Sequence, residues 1–169
     1  QYTARLVTRN LAYASGEGRV LIDAGDVKLN GHELEALTVG ATGVLSTSDV
    51  KNWLDTAGSG IVVSESNIVE VEAGLIQLES GYGLTLNGID VLSLATDTQS
   101  SFGSVDDLVS SINAISEDSG VFAYQNELGD LRIQNMDGGG DNIIIGGAAG
   151  LSGNVLGISS KTYVGSLEL

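Results

Sequence analysis

The clearest hydrophobic pattern in the chain is helical and lies between Ser104 and Ser119. Five aliphatic residues recur there at intervals of three and four, the period of a helix with one apolar face: Val105, Leu108, Val109, Ile112 and Ile115. Ser104 is suited to cap the helix, with Asp107 three residues later, and Gly120 to end it. Because so short a helix is marginal alone in water, we expect it to pack on a sheet.

Two segments that favour β-structure contain the dipeptide Asn-Gly. They read VLIDAGDVKLNG over 20–31 and IQLESGYGLTLNG over 76–88. Asn-Gly between β-prone residues is the strongest short hairpin signal, because both residues tolerate a positive φ. The pattern therefore predicts hairpin turns at 30–31 and 87–88, with return strands that start at 33–34 and 89–91.

The helical pattern also has a second copy. Residues 48–57 place Val50, Trp53, Leu54 and Ala57 on one face, which matches the spacing of the longer helix. Apolar segments at 61–63 and 68–71 then correspond to those at 121–123 and 131–133. Each copy thus reads as a hairpin, a helix and two strands.

These patterns predict an α+β fold of two tandem small units, each a hairpin-rich antiparallel sheet with one helix packed on it. A lead-in segment over 1–18, in which 2–7 is a candidate strand, precedes the first repeat unit at 19–74. The second unit spans 75–169 and ends in glycine-rich closing strands, predicted at 155–158 and 163–169. The chain does not begin with Met, and we expect it to be a piece of a longer protein.

Composition narrows the function classes. The net charge of −15 disfavours nucleic acid and anionic membranes as partners, since both require basic patches. The absence of Cys removes disulfides and thiolate chemistry. With 24 Gly, no Pro, 2 Phe and 1 Trp, we expect many tight turns around a thin aliphatic core.

Candidate chemistry is sparse. His32 is the only histidine and follows a predicted turn, so we expect it to be solvated. Glu117 and Asp118 are a conceivable glycosidase pair, but a solvated helix end accounts for them better. The segment 135–142, NMDGGGDN, offers Asp137 and Asp141 as oxygen ligands for Ca²⁺, although a turn between strands explains it as well. We therefore predict no catalytic, cofactor-binding or metal site.

The second unit resembles a repeat found in the variable outer regions of bacterial flagellins, with related segments in hook-associated and cap proteins. The resemblance covers about 76–160 and is looser over 19–74, where Trp53 and the shorter helix depart from the pattern. The family's motif positions are filled by Leu108-Val109, Ile112-Asn113-Ala114, Gly120-Val121, Gly129, Leu131, Ile133, Asp137-Gly138 and Leu156-Gly157-Ile158.

The resemblance implies a structural, extracellular function: an exposed outer domain of a flagellar filament protein, inserted between the two halves of a helical rod and contributing to motility. Its partners would then be other subunits of the filament, contacted through rod domains outside this chain, and neither nucleic acid nor membrane. Three alternatives stay open at this stage. They are an outer domain of a hook-associated protein, an adhesin-type or glycan-binding module with or without a requirement for Ca²⁺, and an inserted hydrolase.

Overall fold

A computed structural model describes residues 5–7, 18–40, 43, 45–79, 82–91, 102–147 and 153–169. These residues form an α+β fold of short helices and small antiparallel sheets, which confirms the predicted fold class. They divide into two compact units. Unit 1 is made of the described residues up to Ser66, with Gly139–Asn142 and Val164–Leu169, and unit 2 is made of Asn67–Gly138 and Ile143–Tyr163.

The helices and strands of the described residues are short. The helices are α1 (Thr47–Asp55), α2 (Val105–Ala114) and α3 (Ser116–Ser119), with a 3-10 turn at Ala73–Leu75. The strands are β1 (Arg5–Val7), β2 (Val20–Ile22), β3 (Lys28–Leu29), β4 (His32–Glu33), β5 (Leu37–Thr38), β6 (Ser64–Ser66), β7 (Ile68–Val71), β8 (Thr85–Leu86), β9 (Ile89–Asp90), β10 (Val121–Gln125), β11 (Leu131–Asn135), β12 (Ile143–Gly146), β13 (Lys161–Tyr163) and β14 (Ser166–Glu168).

Unit 1 is built around the last strand of the chain. β14 lies between β1 and β6 and pairs antiparallel with both, so that Arg5 stands opposite Glu168 and Ser66 opposite Ser166. Two further pairs, β2 with β5 and β3 with β4, complete its strands. The core is aliphatic, as expected, and consists of Leu34, Leu37, Leu45, Val50, Leu54, Val63 and Leu167.

Helix α1 begins at a complete capping box. The Ser46 hydroxyl accepts from the Asp49 backbone N–H at 3.1 Å, and the Asp49 carboxylate accepts from the Ser46 N–H at 2.9 Å. Val50 and Leu54 are buried one helical turn apart, which confirms the predicted apolar face. The helix runs over 47–55 where 48–57 was predicted.

Unit 2 contains two sheets over one aliphatic core. Their strand orders are β10-β11-β7 and β13-β12-β8-β9. Leu108 and Ile112 of α2 are completely buried in this core, and Ser104 caps the helix by accepting from the Asp107 N–H at 3.1 Å. The predicted single helix over 104–119 is interrupted at Ile115, after which α3 continues to Gly120, whose φ of 73° ends it as predicted.

The side chain of Asn113 fastens α2 to the edge strand β10. Its amide donates to the Ala123 carbonyl at 3.0 Å and its oxygen accepts from the Ala123 N–H at 2.8 Å. An edge strand carries backbone groups without a strand partner, and Asn113 satisfies both groups of Ala123 as a neighbouring strand would. Asn113 therefore replaces a missing strand at this point of the sheet.

Both Asn-Gly pairs form the predicted hairpin turns. Asn30 and Asn87 have φ values of 47° and 50°, and the glycines that follow have φ values of 80° and 82°. These angles place both residues of each turn in the left-handed region, as a type I′ hairpin requires. The turns join β3 to β4 in unit 1 and β8 to β9 in unit 2.

The long-range pairing differs from the predicted repeats. No strand forms at 61–63; the strand after α1 is β6, and it pairs with β14. β7, which was predicted to end the first unit, pairs with β11 in unit 2. The limits of the compact units are consequently not the predicted 19–74 and 75–169, because chain order does not decide which strand completes a sheet.

The predicted ends of the chain are partly described. Of the lead-in over 1–18, residues 5–7 form β1 in the sheet of unit 1, and the others lie outside the described residues except Gly18. The predicted strand at 155–158 is a turn whose Val155 and Leu156 are buried in the core of unit 2. The predicted strand at 163–169 is divided between β13 and β14.

We predict that Asn113→Ala destabilises unit 2 by about 1–3 kcal/mol, because it leaves two backbone groups of the buried Ala123 without a partner. The measurement is urea unfolding followed by circular dichroism. Ser110→Ala is the matched control, since it changes an exposed residue of the same helix, and we expect it to stay within about 0.5 kcal/mol of the parent chain. Equal unfolding free energies for the two variants would contradict the role given to Asn113.

The two hairpin turns provide a second matched pair. Asn87 donates to the Ser119 carbonyl at 2.7 Å and accepts from the Ile144 N–H at 2.8 Å, whereas Asn30 makes one longer bond, to the Ser59 carbonyl at 3.3 Å. We predict that Asn87→Ala costs about 2–4 kcal/mol and Asn30→Ala about 1–2 kcal/mol, since both lose the tolerance of positive φ but only the first loses two strong bonds.

Hydrogen exchange of the backbone amides measures the loss of stability in each unit separately, for Asn30→Ala in unit 1 and for Asn87→Ala in unit 2. A cost for Asn30→Ala as large as that for Asn87→Ala would show that the turn conformation alone carries the effect.

Candidate functional site

The only histidine lies on the surface. His32 is exposed in β4, directly after the turn at 30–31 and opposite Leu29. Among the residues that the structure describes, no three His, Asp or Glu side chains lie close enough together to hold a metal ion. Glu117 and Asp118 are exposed in α3, at the solvated helix end that was expected.

The segment 135–142 passes from one unit to the other. Asn135 is buried at the end of β11, and Gly138 turns the chain with a φ of 72°. Asp137 belongs to unit 2 and Asp141 to unit 1, and both are exposed. The two candidate calcium ligands are therefore placed by separate compact units.

Close packing explains one glycine of this segment, Gly140. A Cβ on Gly140 would lie 2.8 Å from Cγ2 of Thr47 and 3.1 Å from Cβ of Glu65. A Cβ on Gly165 would overlap the carbonyl oxygen of Gly140. Unit 1 therefore brings these backbones together where no side chain fits.

A surface cleft lies in unit 2. It has a volume of about 410 Å³ and is lined by Glu70, Val71, Glu72, Asn126, Leu128, Asp130 and Arg132. An Arg132 guanidinium nitrogen lies 3.0 Å from a Glu70 carboxylate oxygen. The Nε of Arg132 is buried and has no hydrogen-bond partner among the described residues. This pair is half open to water, so it contributes little to stability.

Two other polar side chains that line the unit 2 cleft form hydrogen bonds with the backbone around it. The Asn126 side-chain oxygen accepts from the backbone N–H groups of Leu128 and Asp130, both at 2.9 Å. The Asp130 carboxylate accepts from the Ala73 N–H at 3.1 Å. Asn126 and Asp130 thus already have structural partners in the backbone around the cleft.

Another cleft, which we call the Trp53 groove, lies in unit 1. It has a volume of about 270 Å³ and is lined by Glu35, Ala36, Leu37, Thr38, Asp49, Asn52, Trp53 and Thr56. The indole N–H of Trp53 donates to the Glu35 carbonyl at 2.6 Å, which fixes the ring between α1 and the segment that leads into β5. The ring packs against the core of unit 1 and is half-buried.

Two titratable groups in the described part of the chain have shifted pKa values, and neither lines the two clefts above. The hydrogen bond from Lys51 to Asp55, 2.6 Å long, raises the pKa of the lysine, as the bond favours the charged amine. Burial raises the pKa of the Tyr163 phenol, whose hydroxyl donates to the Ser159 carbonyl at 2.9 Å. Catalytic groups with shifted pKa values typically lie together in a cleft, whereas Lys51 and Tyr163 line neither of the clefts described above.

The chain matches no protein-family model, and no curated protein matches it significantly. Within the described ranges, none of the helices has the length and apolar character needed to cross a membrane.

The sequence did not indicate either cleft. Trp53 was assigned to an apolar helix face, and nothing in the order of residues places it beside Glu35, which is 18 positions earlier. The only local signal was a single tryptophan in an otherwise aliphatic chain.

We predict that Gly140→Ala destabilises unit 1 by about 1–3 kcal/mol, because the added methyl group overlaps Thr47 and Glu65. The measurement is urea unfolding followed by the fluorescence of Trp53, the only tryptophan, which lies in unit 1. Gly40→Ala is the matched control, since a Cβ there meets nothing within 4 Å, and we expect it to be neutral or slightly stabilising.

Calcium binding by the segment 135–142 is tested by thermal unfolding. If the glycines serve a turn and close packing rather than a metal ion, the thermal unfolding temperature of the parent chain is the same in CaCl₂ as in EDTA. A higher unfolding temperature in CaCl₂, and no rise in MgCl₂, would show that the native chain binds calcium.

Proposed function

We propose that this chain is the surface-exposed outer domain of a flagellin-like bacterial filament protein. It acts structurally, outside the cell, by setting the surface of the filament, and it carries no catalytic activity. Its contacts with other subunits are made through rod domains that flank it in the full protein.

The observation that carries the proposal is the pairing of β1 with β14. Arg5 stands opposite Glu168 in an antiparallel register, so the chain enters and leaves unit 1 at neighbouring positions. Paired residues of antiparallel strands lie about 4.5–5.5 Å apart. A domain that projects from a rod on two adjacent connections needs this geometry.

The residues of the recurring motif support the proposal because they build the scaffold. Leu108, Ile112, Leu131 and Ile133 are completely buried in the core of unit 2. The motif glycines have positive φ values, namely Gly120, Gly129, Gly138 and Gly157. The motif residues thus form the core and the turns of unit 2, as expected of a motif that defines a structural unit.

The surface of the chain is also consistent with permanent exposure. Every carboxylate in the described part of the chain is exposed or half-buried. Together with a net charge of −15, this gives a soluble exterior that repels its copies. Repulsion of this kind suits domains displayed side by side on a polymer.

The test uses the bacterium that encodes the chain and an antiserum raised against residues 1–169. Immunogold electron microscopy is expected to label filaments along their whole length. Label confined to the base or the tip of the filament would instead indicate a hook-associated or cap protein. Label on the cell envelope would contradict the proposal and favour an adhesin.

A replacement strain provides the second test. In the full protein, a short Gly-Ser linker replaces the part that corresponds to residues 5–168 of this chain. We expect filaments to assemble and cells to swim, because Arg5 and Glu168 lie side by side and a short linker can join the segments outside them. The same linker inserted after the exposed Glu127 is the matched control and keeps the label. Loss of filaments in the replacement strain alone would show that the domain is needed for assembly.

A further inference from the structure

We propose that the Trp53 groove binds a small organic cation, such as a quaternary ammonium head group. This inference is independent of the filament function, and it rests on the aromatic ring, the charges and the size of the groove.

The ring is held ready for a ligand. The indole N–H is engaged by the Glu35 carbonyl at 2.6 Å, and the ring packs against the core of unit 1, so its position does not depend on an occupant. A part of the residue nevertheless stays open to solvent. Tryptophan attracts a cation above its face more strongly than tyrosine or phenylalanine does.

The charges that line the groove are all negative. Glu35 and Asp49 contribute carboxylates, and no Lys, Arg or His lines the groove. The Asp49 carboxylate accepts a hydrogen bond from the Ser46 N–H, and Glu35 forms no salt bridge within the described residues. A chain with a net charge of −15 also raises the local concentration of cations. Both the carboxylates of the groove and the net charge of the chain therefore disfavour an anionic ligand.

The size and the polar rim favour a head group over a large ligand. The groove has a volume of about 270 Å³, less than the roughly 300–1,000 Å³ of pockets that enclose drug-sized molecules. Thr56 donates its hydroxyl to the Trp53 carbonyl at 2.6 Å. The side chains of Thr38 and Asn52 make no hydrogen bond within the described residues and can bond a hydroxyl group carried by the cation.

The probe pair is choline and 3,3-dimethyl-1-butanol, which share a shape but differ in charge. Because Trp53 is the only tryptophan, fluorescence excited where tyrosine does not absorb reports this groove alone. At constant ionic strength we expect choline to change the fluorescence saturably and the neutral alcohol to leave it unchanged. Added KCl is expected to weaken choline binding by screening the carboxylates.

Two variants locate the charge that matters. Glu35→Gln is expected to weaken choline binding about two- to fivefold, the range for an exposed ion pair. Glu117→Gln removes the same charge from the exposed surface of unit 2 and is expected to leave binding unchanged. Circular dichroism of both variants verifies that they fold.

Three results would overturn the proposal: no saturable response to choline, an equal response to the neutral alcohol, or an equal loss in both variants. A neutral oligosaccharide such as maltotriose or chitotriose that binds with no dependence on salt, where choline does not, would replace it with a glycan site.

Discussion

Unit 1 depends on hydrogen bonds between segments from opposite ends of the sequence. β14 supplies the central strand of its sheet, and Leu167 of that strand is completely buried in the unit 1 core. Without β14, β1 and β6 have no shared neighbour and α1 loses part of the surface on which it packs. The apolar core of this unit is therefore complete only when residues more than a hundred positions apart have met, and closing so long a loop costs entropy.

In unit 2, asparagine side chains make hydrogen bonds with backbone groups that a neighbouring strand would otherwise make. Asn113 satisfies both polar groups of one residue of an edge strand, and Asn87 joins a hairpin to the end of α3 and to β12. Asn67 donates to the Tyr163 carbonyl at 2.9 Å and so ties together the two ends of the unit. Asparagine carries a donor and an acceptor at the spacing of a peptide group, which lets one side chain replace a strand neighbour.

The parts of this fold that are visible in the sequence are local. The caps at Ser104 and Gly120, the two Asn-Gly turns and the apolar helix faces depend on residues a few positions apart, and each was predicted. The pairing of β7 with β11 and of β14 with β6 was not predicted. Short strands of similar composition do not indicate by their sequence which strand they pair with. The Trp53 groove was missed for the same reason, since its residues meet only through the tertiary structure.

The glycine-rich segment illustrates how one composition supports two interpretations. Asp and Asn among glycines are typical of calcium loops, yet Gly140 and Gly165 are explained by the lack of space for a Cβ. A stretch of glycines can thus mark tight packing between backbones as readily as a ligand.

The register of β1 and β14 also determines how the chain responds to tension. Arg5 and Glu168 form the outermost pair, so a force that draws the two ends apart acts on the hydrogen bonds of this ladder one pair after another. In this geometry the hydrogen bonds between the two strands break in succession, whereas a force along the strands would have to break all of them at once. A domain attached by these two strands would open at its attachment first, and its buried interior would be exposed only afterwards.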